Sequence, residues 1–237
     1  MKKETKLIVA LDTDSLETAE GFVKILSPKV KYFKIGSQLF TMYGPKCVEM
    51  VKKYKGEVFL DLKFHDIPNT VANASISAVR LGVFMLNMHA IGGEVMLKTV
   101  MEKVKEECER SKVKQPIILG VTVLTSMDRQ QLNSVGVIRS VKNEVVHLAG
   151  LCKKCGLNGV VCSGKEIELL KRVMGDDFVL VVPGIRPADS STNDQKRIVT
   201  PTDAKKLGAD YIVVGRPIVA SKDPLKSAES ILEQISI

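Results

Sequence analysis

Asp61, Lys63 and Asp66 are the residues of this chain whose types and spacing most directly offer chemistry. They belong to Asp61-Leu62-Lys63-Phe64-His65-Asp66-Ile67-Pro68-Asn69-Thr70, where an apolar run from Glu57 to Lys63 gives way to a loop. Side chains at i and i+2 share one face of a strand, so Asp61 and Lys63 are expected to point the same way from its end. Asp66 lies beyond the strand and can approach from another direction. A lysine flanked by acids is held charged, because nearby opposite charge favours the ionised form, and it can still deliver a proton to a strongly basic carbon. The plain alternative is a solvated strand end with a salt bridge, since ion pairs also form for purely structural reasons.

The elements that must position these groups show as eight short apolar runs: Lys6 to Leu11, Lys31 to Gly36, Glu57 to Lys63, Val83 to His89, Pro116 to Val123, Gly159 to Cys162, Phe178 to Pro183 and Asp210 to Gly215. Segments with helical periodicity separate them. Asp14 with Glu17, and Ser163 with Glu166, read as capping boxes in front of two helices. Thr200-Pro201 reads as an N-cap followed by proline at the first helical position, and Gly208 closes that helix. Strand and helix alternate eight times, which is the pattern of an α/β protein built as a single (β/α)8 barrel over residues 1–237.

A barrel has a functional corollary. Catalytic groups sit at the C-terminal ends of its strands, and phosphate is often held by the loops after strands seven and eight. Asp12, Lys34, Asp61, Lys63 and Thr125 all fall at or just after strand ends, so they are expected to face one mouth. The polar stretch Asp189 to Gln195 follows strand seven, where a mobile lid over a phosphate would be useful.

Composition narrows the function classes. A chain of 237 residues buries about three quarters of its unfolded surface in one core, so one domain suffices. No run approaches the ~18 apolar residues of a membrane span, and the start MKKETKLIVALD turns acidic too early for a signal peptide; a cytoplasmic protein is expected. The net charge of +8 comes from scattered lysine pairs, not one stripe, and aromatic residues make up only 5%, so platforms for stacking nucleic-acid bases are scarce. Five cysteines at irregular spacing argue against a disulfide framework. Cys152 and Cys155 would need two more ligands to hold zinc, and His147 is the only nearby candidate.

The string DLKFHDIPNT resembles the active-site signature of the orotidine 5′-phosphate decarboxylase family, in particular its bacterial form. VALD ending at Asp12, FKIG around Lys34, VLTS around Thr125, PGIRP around Arg186, DQKR around Gln195 and VVGRPI around Arg216 resemble further segments of that family, in the family's order. The resemblance implies a (β/α)8 barrel that converts orotidine 5′-phosphate to uridine 5′-phosphate (UMP) with no cofactor and no metal. It implies Lys63 as the general acid, Asp61 as its partner near the substrate carboxylate, and Lys34 in an alternating Lys–Asp–Lys–Asp array.

The same resemblance implies that Asp66 and Thr70, with Ile67 among the substrate-binding residues, serve a homodimer whose active sites are composite. Asp12 is similar in position to an acid that hydrogen-bonds the ribose. Thr125 matches a position at the pyrimidine edge; its plain alternative is a hydroxyl satisfying a local turn. Gly215 and Arg216 would hold the phosphate, Gln195 would close on it from the lid, and Arg186 resembles a residue on the substrate side of that loop. His65 is expected to face away from Lys63, in packing or an interface.

Two rivals share parts of this pattern. Magnesium-dependent sugar-phosphate decarboxylases and aldolases of the same superfamily have a similar Asp-x-Lys-x-x-Asp motif, but the position resembling their metal-binding glutamate is Lys34 here, and a cation there repels magnesium. A non-catalytic nucleotide-sensing dimer would keep the barrel and lose its proton donor, whereas Lys63 is intact.

Overall fold

The structure, a computed structural model, describes residues 4–186 and 199–236. Among the described residues, eight parallel strands close into a barrel in sequence order, each hydrogen-bonded to the next and β8 to β1. They are β1 (Lys6–Ala10), β2 (Tyr32–Gly36), β3 (Glu57–Phe64), β4 (Met85–His89), β5 (Ile117–Val121), β6 (Gly159–Val161), β7 (Val179–Val182) and β8 (Tyr211–Val214). The helices are α1 (Leu16–Leu26), α2 (Ser37–Tyr43), α3 (Lys46–Lys53), α4 (Pro68–Leu81), α5 (Gly93–Ser111), α6 (Arg129–Ser134), α7 (Val141–Lys154), α8 (Ile167–Met174), α9 (Pro201–Leu207), α10 (Arg216–Val219) and α11 (Pro224–Ser236).

Strand alternation separates two cores. Ile8, Ala10, Phe59, Met85, Leu119, Val181, Tyr211 and Val213 point inward and fill the barrel. Their neighbours in sequence, such as Val9, Leu60, Leu86, Ile118, Leu180 and Ile212, point outward and pack under the helices. Because both faces are covered, the strands read as continuous apolar runs. Met88 and Met96 belong to the outer core and Met85 to the inner one, all fully buried. At the N-terminal end the rings of Tyr32, Phe84 and Tyr211 close the barrel, with centroids 5.0 to 6.2 Å apart.

The helix signals hold with one correction. Thr200 caps α9 by accepting from the Asp203 N–H, and Gly208 ends that helix in the left-handed region. Ser163 and Glu166 form the expected capping box, although it opens a single 3-10 turn that leads into α8. The cap of α1 is Ser15 and not Asp14: the Ser15 hydroxyl accepts from the Thr18 N–H at 3.1 Å, so the box expected from Asp14 and Glu17 does not form and a single cap hydrogen bond one residue later takes its place. The backbone carbonyl of Asp14 instead accepts from the Tyr43 hydroxyl.

All five cysteines are free and buried, and burial pushes the Cys152 thiol up to about 12, so it stays protonated at neutral pH. No described helix is long and apolar enough to cross a membrane.

Candidate active site

The C-terminal mouth of the barrel collects the charged residues. Inward positions that are apolar lower in the barrel become Lys34 on β2, Asp61 on β3 and Asn87 on β4 at the top, while Asp12 stands two residues past the end of β1. Lys34 Nζ lies 2.8 Å from Asp12 Oδ1 and 3.4 Å from Asp61 Oδ2, and Lys63 Nζ lies 2.7 Å from Asp61 Oδ1. Within one chain the alternating array is therefore Asp12–Lys34–Asp61–Lys63.

Burial alone would lower the Lys34 pKa, but the charges of Asp61 and Asp12, and hydrogen bonds to both, outweigh it and hold the ammonium above its ordinary value. Lys34 is thus a fixed cation. Gly36 leaves room for it, since a Cβ there would stand 3.1 Å from Lys34 Nζ.

Lys63 reaches Asp61 through a less regular backbone than simple alternation supposes. Between Leu60 and Phe64 the strand advances four residues while its partner advances only from Leu86 to Met88, so β3 bulges. Lys63 sits in that bulge with φ at +51°, in the left-handed region. Bulges of this kind re-aim side chains next to active sites. The displaced Lys63 N–H is taken up by Asn87 Oδ1 at 2.8 Å, and Asn87 Nδ2 donates to Asp61 Oδ1 at 2.7 Å. Asn87 is fully buried and was not foreseen from the sequence; its only signal was an amide in the middle of the apolar strand MLNMH.

Lys34, Asp61 and Lys63 line a cavity of about 160 Å³ whose other walls include Phe59, Val121, Val161, Val213 and Thr125. Thr125 lies in the turn after β5, as its position past a strand end implied. A second cavity of about 130 Å³ adjoins the first through Lys34, Pro183 and Val213 and is lined by Asp12, Arg186, Gly215 and Arg216. Arg186 is buried, and Arg216 opens α10 directly after β8. One compartment is suited to a flat ring beside paired charges. The other offers two guanidinium groups and a glycine backbone, which suits a phosphate.

Asp66, Ile67 and Thr70 do not join the array of their own chain. All three are exposed at the start of α4, where Asp66 Oδ1 accepts from the Ile67 N–H at 2.6 Å. The ring of His65 lies 5.6 Å from that of His89, whose pKa is lowered by burial and by the charges of His65 and Lys63. Gln195, with the rest of Asp189 to Gln195, lies outside the described residues.

A closed parallel barrel that gathers paired carboxylates and ammonium groups at the C-terminal ends of its strands has the layout of a (β/α)8-barrel enzyme. Residues 5–231 match the family model described as the orotidine 5′-phosphate decarboxylase / HUMPS family, and the chain belongs to that family. It is 51% identical over 231 residues to the orotidine 5′-phosphate decarboxylase of Syntrophotalea carbinolica, covering 98% of this chain and 95% of that one. It is 50% identical over 233 residues to the protein of the same name from Geotalea daltonii, covering 97% of this chain and 95% of that one. Among solved structures, orotidine 5′-phosphate decarboxylase from Lactobacillus acidophilus superposes with a TM-score of 0.87 at 34% identity, covering 99% of this chain and 100% of that one.

Proposed function

We propose that this chain, as one catalytic domain over residues 1–237, converts orotidine 5′-phosphate to UMP and carbon dioxide, the last step of de novo pyrimidine nucleotide synthesis, and does so in the cytoplasm. Relatives of about 50% identity over nearly the whole chain carry that activity in their names. The observation that carries the reading furthest is the Asp12–Lys34–Asp61–Lys63 array, with its Lys63 end opening into the cavity.

In this reaction the bond between carbon 6 of the pyrimidine and its carboxylate breaks, the electron pair stays on carbon 6, and Lys63 gives that carbon a proton from its ammonium. The carbanion has no neighbouring carbonyl to take its charge, so stabilisation must come from fixed cations in a site that excludes water. Lys63, held by Asp61, is such a cation, and Lys34 fixes Asp61 from the other side. Asp12 faces the ribose hydroxyls, Thr125 the pyrimidine edge, and Gly215, Arg216 and Arg186 the phosphate, a role the motif resemblance also assigns to Gln195. Contacts to the remote phosphate contribute binding energy that can be expressed in the transition state. No cofactor enters this scheme.

The working unit is a homodimer in which Asp66, Ile67 and Thr70 enter the partner's site. Their exposure at the start of α4 supports this, as does the exposed apolar surface of Ile67, Ile91 and Val95 at the mouth ends of neighbouring helices. Lys34 also disfavours the magnesium-dependent rival, because its ammonium stands between the two carboxylates that would otherwise be available to a cation. Incubating purified protein with orotidine 5′-phosphate and following loss of substrate absorbance tests the reading. Unchanged absorbance would refute it.

A further inference from the structure

Asn87 faces the barrel interior from β4, fully buried, and lines neither cavity of the mouth. An amide in an otherwise apolar strand is unfavourable unless both of its ends are used. Here both are used on the same pair of residues. Its carbonyl oxygen accepts from the backbone N–H of Lys63 at 2.8 Å, and its NH2 donates to Asp61 Oδ1 at 2.7 Å. The opposite amide orientation would set donor against donor and acceptor against acceptor, so the network fixes which way it points.

Asp61 Oδ1 is also the atom that receives the Lys63 ammonium, at 2.7 Å. The hydrogen bonds therefore close a ring: from the Asn87 carbonyl to the Lys63 backbone, along the Lys63 side chain to Asp61, and back to the Asn87 amide. The ring spans the point where β3 leaves its ladder and Lys63 takes a left-handed φ. The lysine stem is flexible, and its backbone N–H is out of register in the bulge. Asn87 supplies the acceptor that the neighbouring strand does not.

We infer that Asn87 is a positioning residue, which sets the place of the Lys63 ammonium by holding the Lys63 backbone and the Asp61 carboxylate in one frame. The inference rests on the proposed function for its kinetic consequence, though not for its hydrogen-bond content. Asn87 does not touch the substrate in this scheme, so its loss falls on the chemical step and spares binding.

The test compares Asn87→Leu, similar in size but unable to hydrogen-bond, with Asn87→Asp. Asn87→Leu is expected to lower kcat about 30- to 100-fold, the scale of a small misplacement of a reacting group. KM for orotidine 5′-phosphate and affinity for UMP should stay within about threefold. In Asn87→Asp the new carboxyl faces Asp61 and Lys63 on β3, with His89 two residues along its own strand and apolar Leu119 beside it on β5, while Lys34 on β2 reaches the other oxygen of Asp61. Two carboxyls at hydrogen-bond distance favour sharing one proton. Once protonated, the new group again offers one donor to Asp61 and one acceptor to the Lys63 N–H.

The Asn87→Asp variant should therefore regain kcat severalfold as pH falls from about 8 to about 6, a recovery absent from the wild type and from Asn87→Leu over the same range. A merely structural amide would give no such rescue. Near-wild-type kcat in Asn87→Leu overturns the inference. If that variant does not fold, Asn87→Asp decides alone, and a flat profile relative to wild type overturns it. Should the wild type leave orotidine 5′-phosphate unchanged, the proposed function fails separately. Amide hydrogen exchange at Lys63, compared between wild type and either folded variant, then still decides whether Asn87 holds that backbone.

Discussion

The two ends of the barrel use similar interactions and leave them in different states. At the N-terminal floor, Lys171 on α8 lies 2.7 Å from Asp210, which precedes β8, and Lys171 also donates to the carbonyls of Asp176 and Phe178 while Asp210 accepts from the Leu180 N–H. Its capacity is spent within the fold. Beside it the Tyr32, Phe84 and Tyr211 rings pack together, and burial pushes the Tyr211 hydroxyl up to about 12. At the mouth, Lys63 makes the same 2.7 Å contact with Asp61, yet its side chain keeps 34% exposure and lines a cavity. An ion pair stabilises when all its partners are internal, and it becomes chemically useful when one partner is left to a ligand.

The contrast breaks first at Lys63. We expect Lys63→Ala to lower turnover about 10⁴-fold or more, the upper range for a general acid, while UMP still binds by calorimetry. Substantial residual decarboxylation would remove Lys63 from that role. The matching change at the floor, Asp210→Ala, takes the carboxylate from the half-buried Lys171 and the acceptor from the Leu180 N–H, and should cost about 3 kcal/mol of stability, seen as a lower denaturant midpoint, with kcat of the folded protein unchanged. A loss of kcat without a loss of stability would erase the distinction between the ends.

Arg216→Ala is expected to act through the phosphate compartment. Losing hydrogen bonds to a charged group costs about 1.5–3 kcal/mol, or roughly 10- to 150-fold in kcat/KM for the phosphorylated substrate. Orotidine without its phosphate should be almost indifferent to the change, and an equal proportional loss for it would rule out Arg216 as the phosphate grip. The smallest expected effect is none: exhaustive chelation should leave activity intact, because Lys34 occupies the place between Asp12 and Asp61. Activity lost to a chelator and restored by magnesium would favour the sugar-phosphate rival.

Most of the barrel was legible because its signals are local. Apolar runs located all eight strands to within a few residues, and Thr200, Pro201 and Gly208 marked both ends of α9. The cap of α1 slipped from Asp14 to Ser15 because either side chain can serve and only the loop geometry chooses. Alternation correctly paired Asp61 with Lys63, although the backbone that delivers Lys63 is a bulge that no period of two describes. Asn87 escaped because its meaning lies in two hydrogen bonds to another strand, and a period along β4 carries no trace of them. The motif resemblance supplied what periodicity could not: the expectation that Asp66, only three residues from Lys63, works elsewhere.

That division between Lys63, inside its own chain's array, and Asp66, exposed at the start of α4, is the most direct place to test the account. Lys63→Ala and Asp66→Ala homodimers, each nearly inactive, are mixed in equal amounts and allowed to exchange subunits, and decarboxylation is followed. If Asp66 acts across the dimer, each mixed dimer pairs the two intact residues in one site and both lesions in the other. Random exchange makes about half the dimers mixed, so activity should climb to about a quarter of wild type. No recovery, with exchange demonstrated independently, would contradict the composite site.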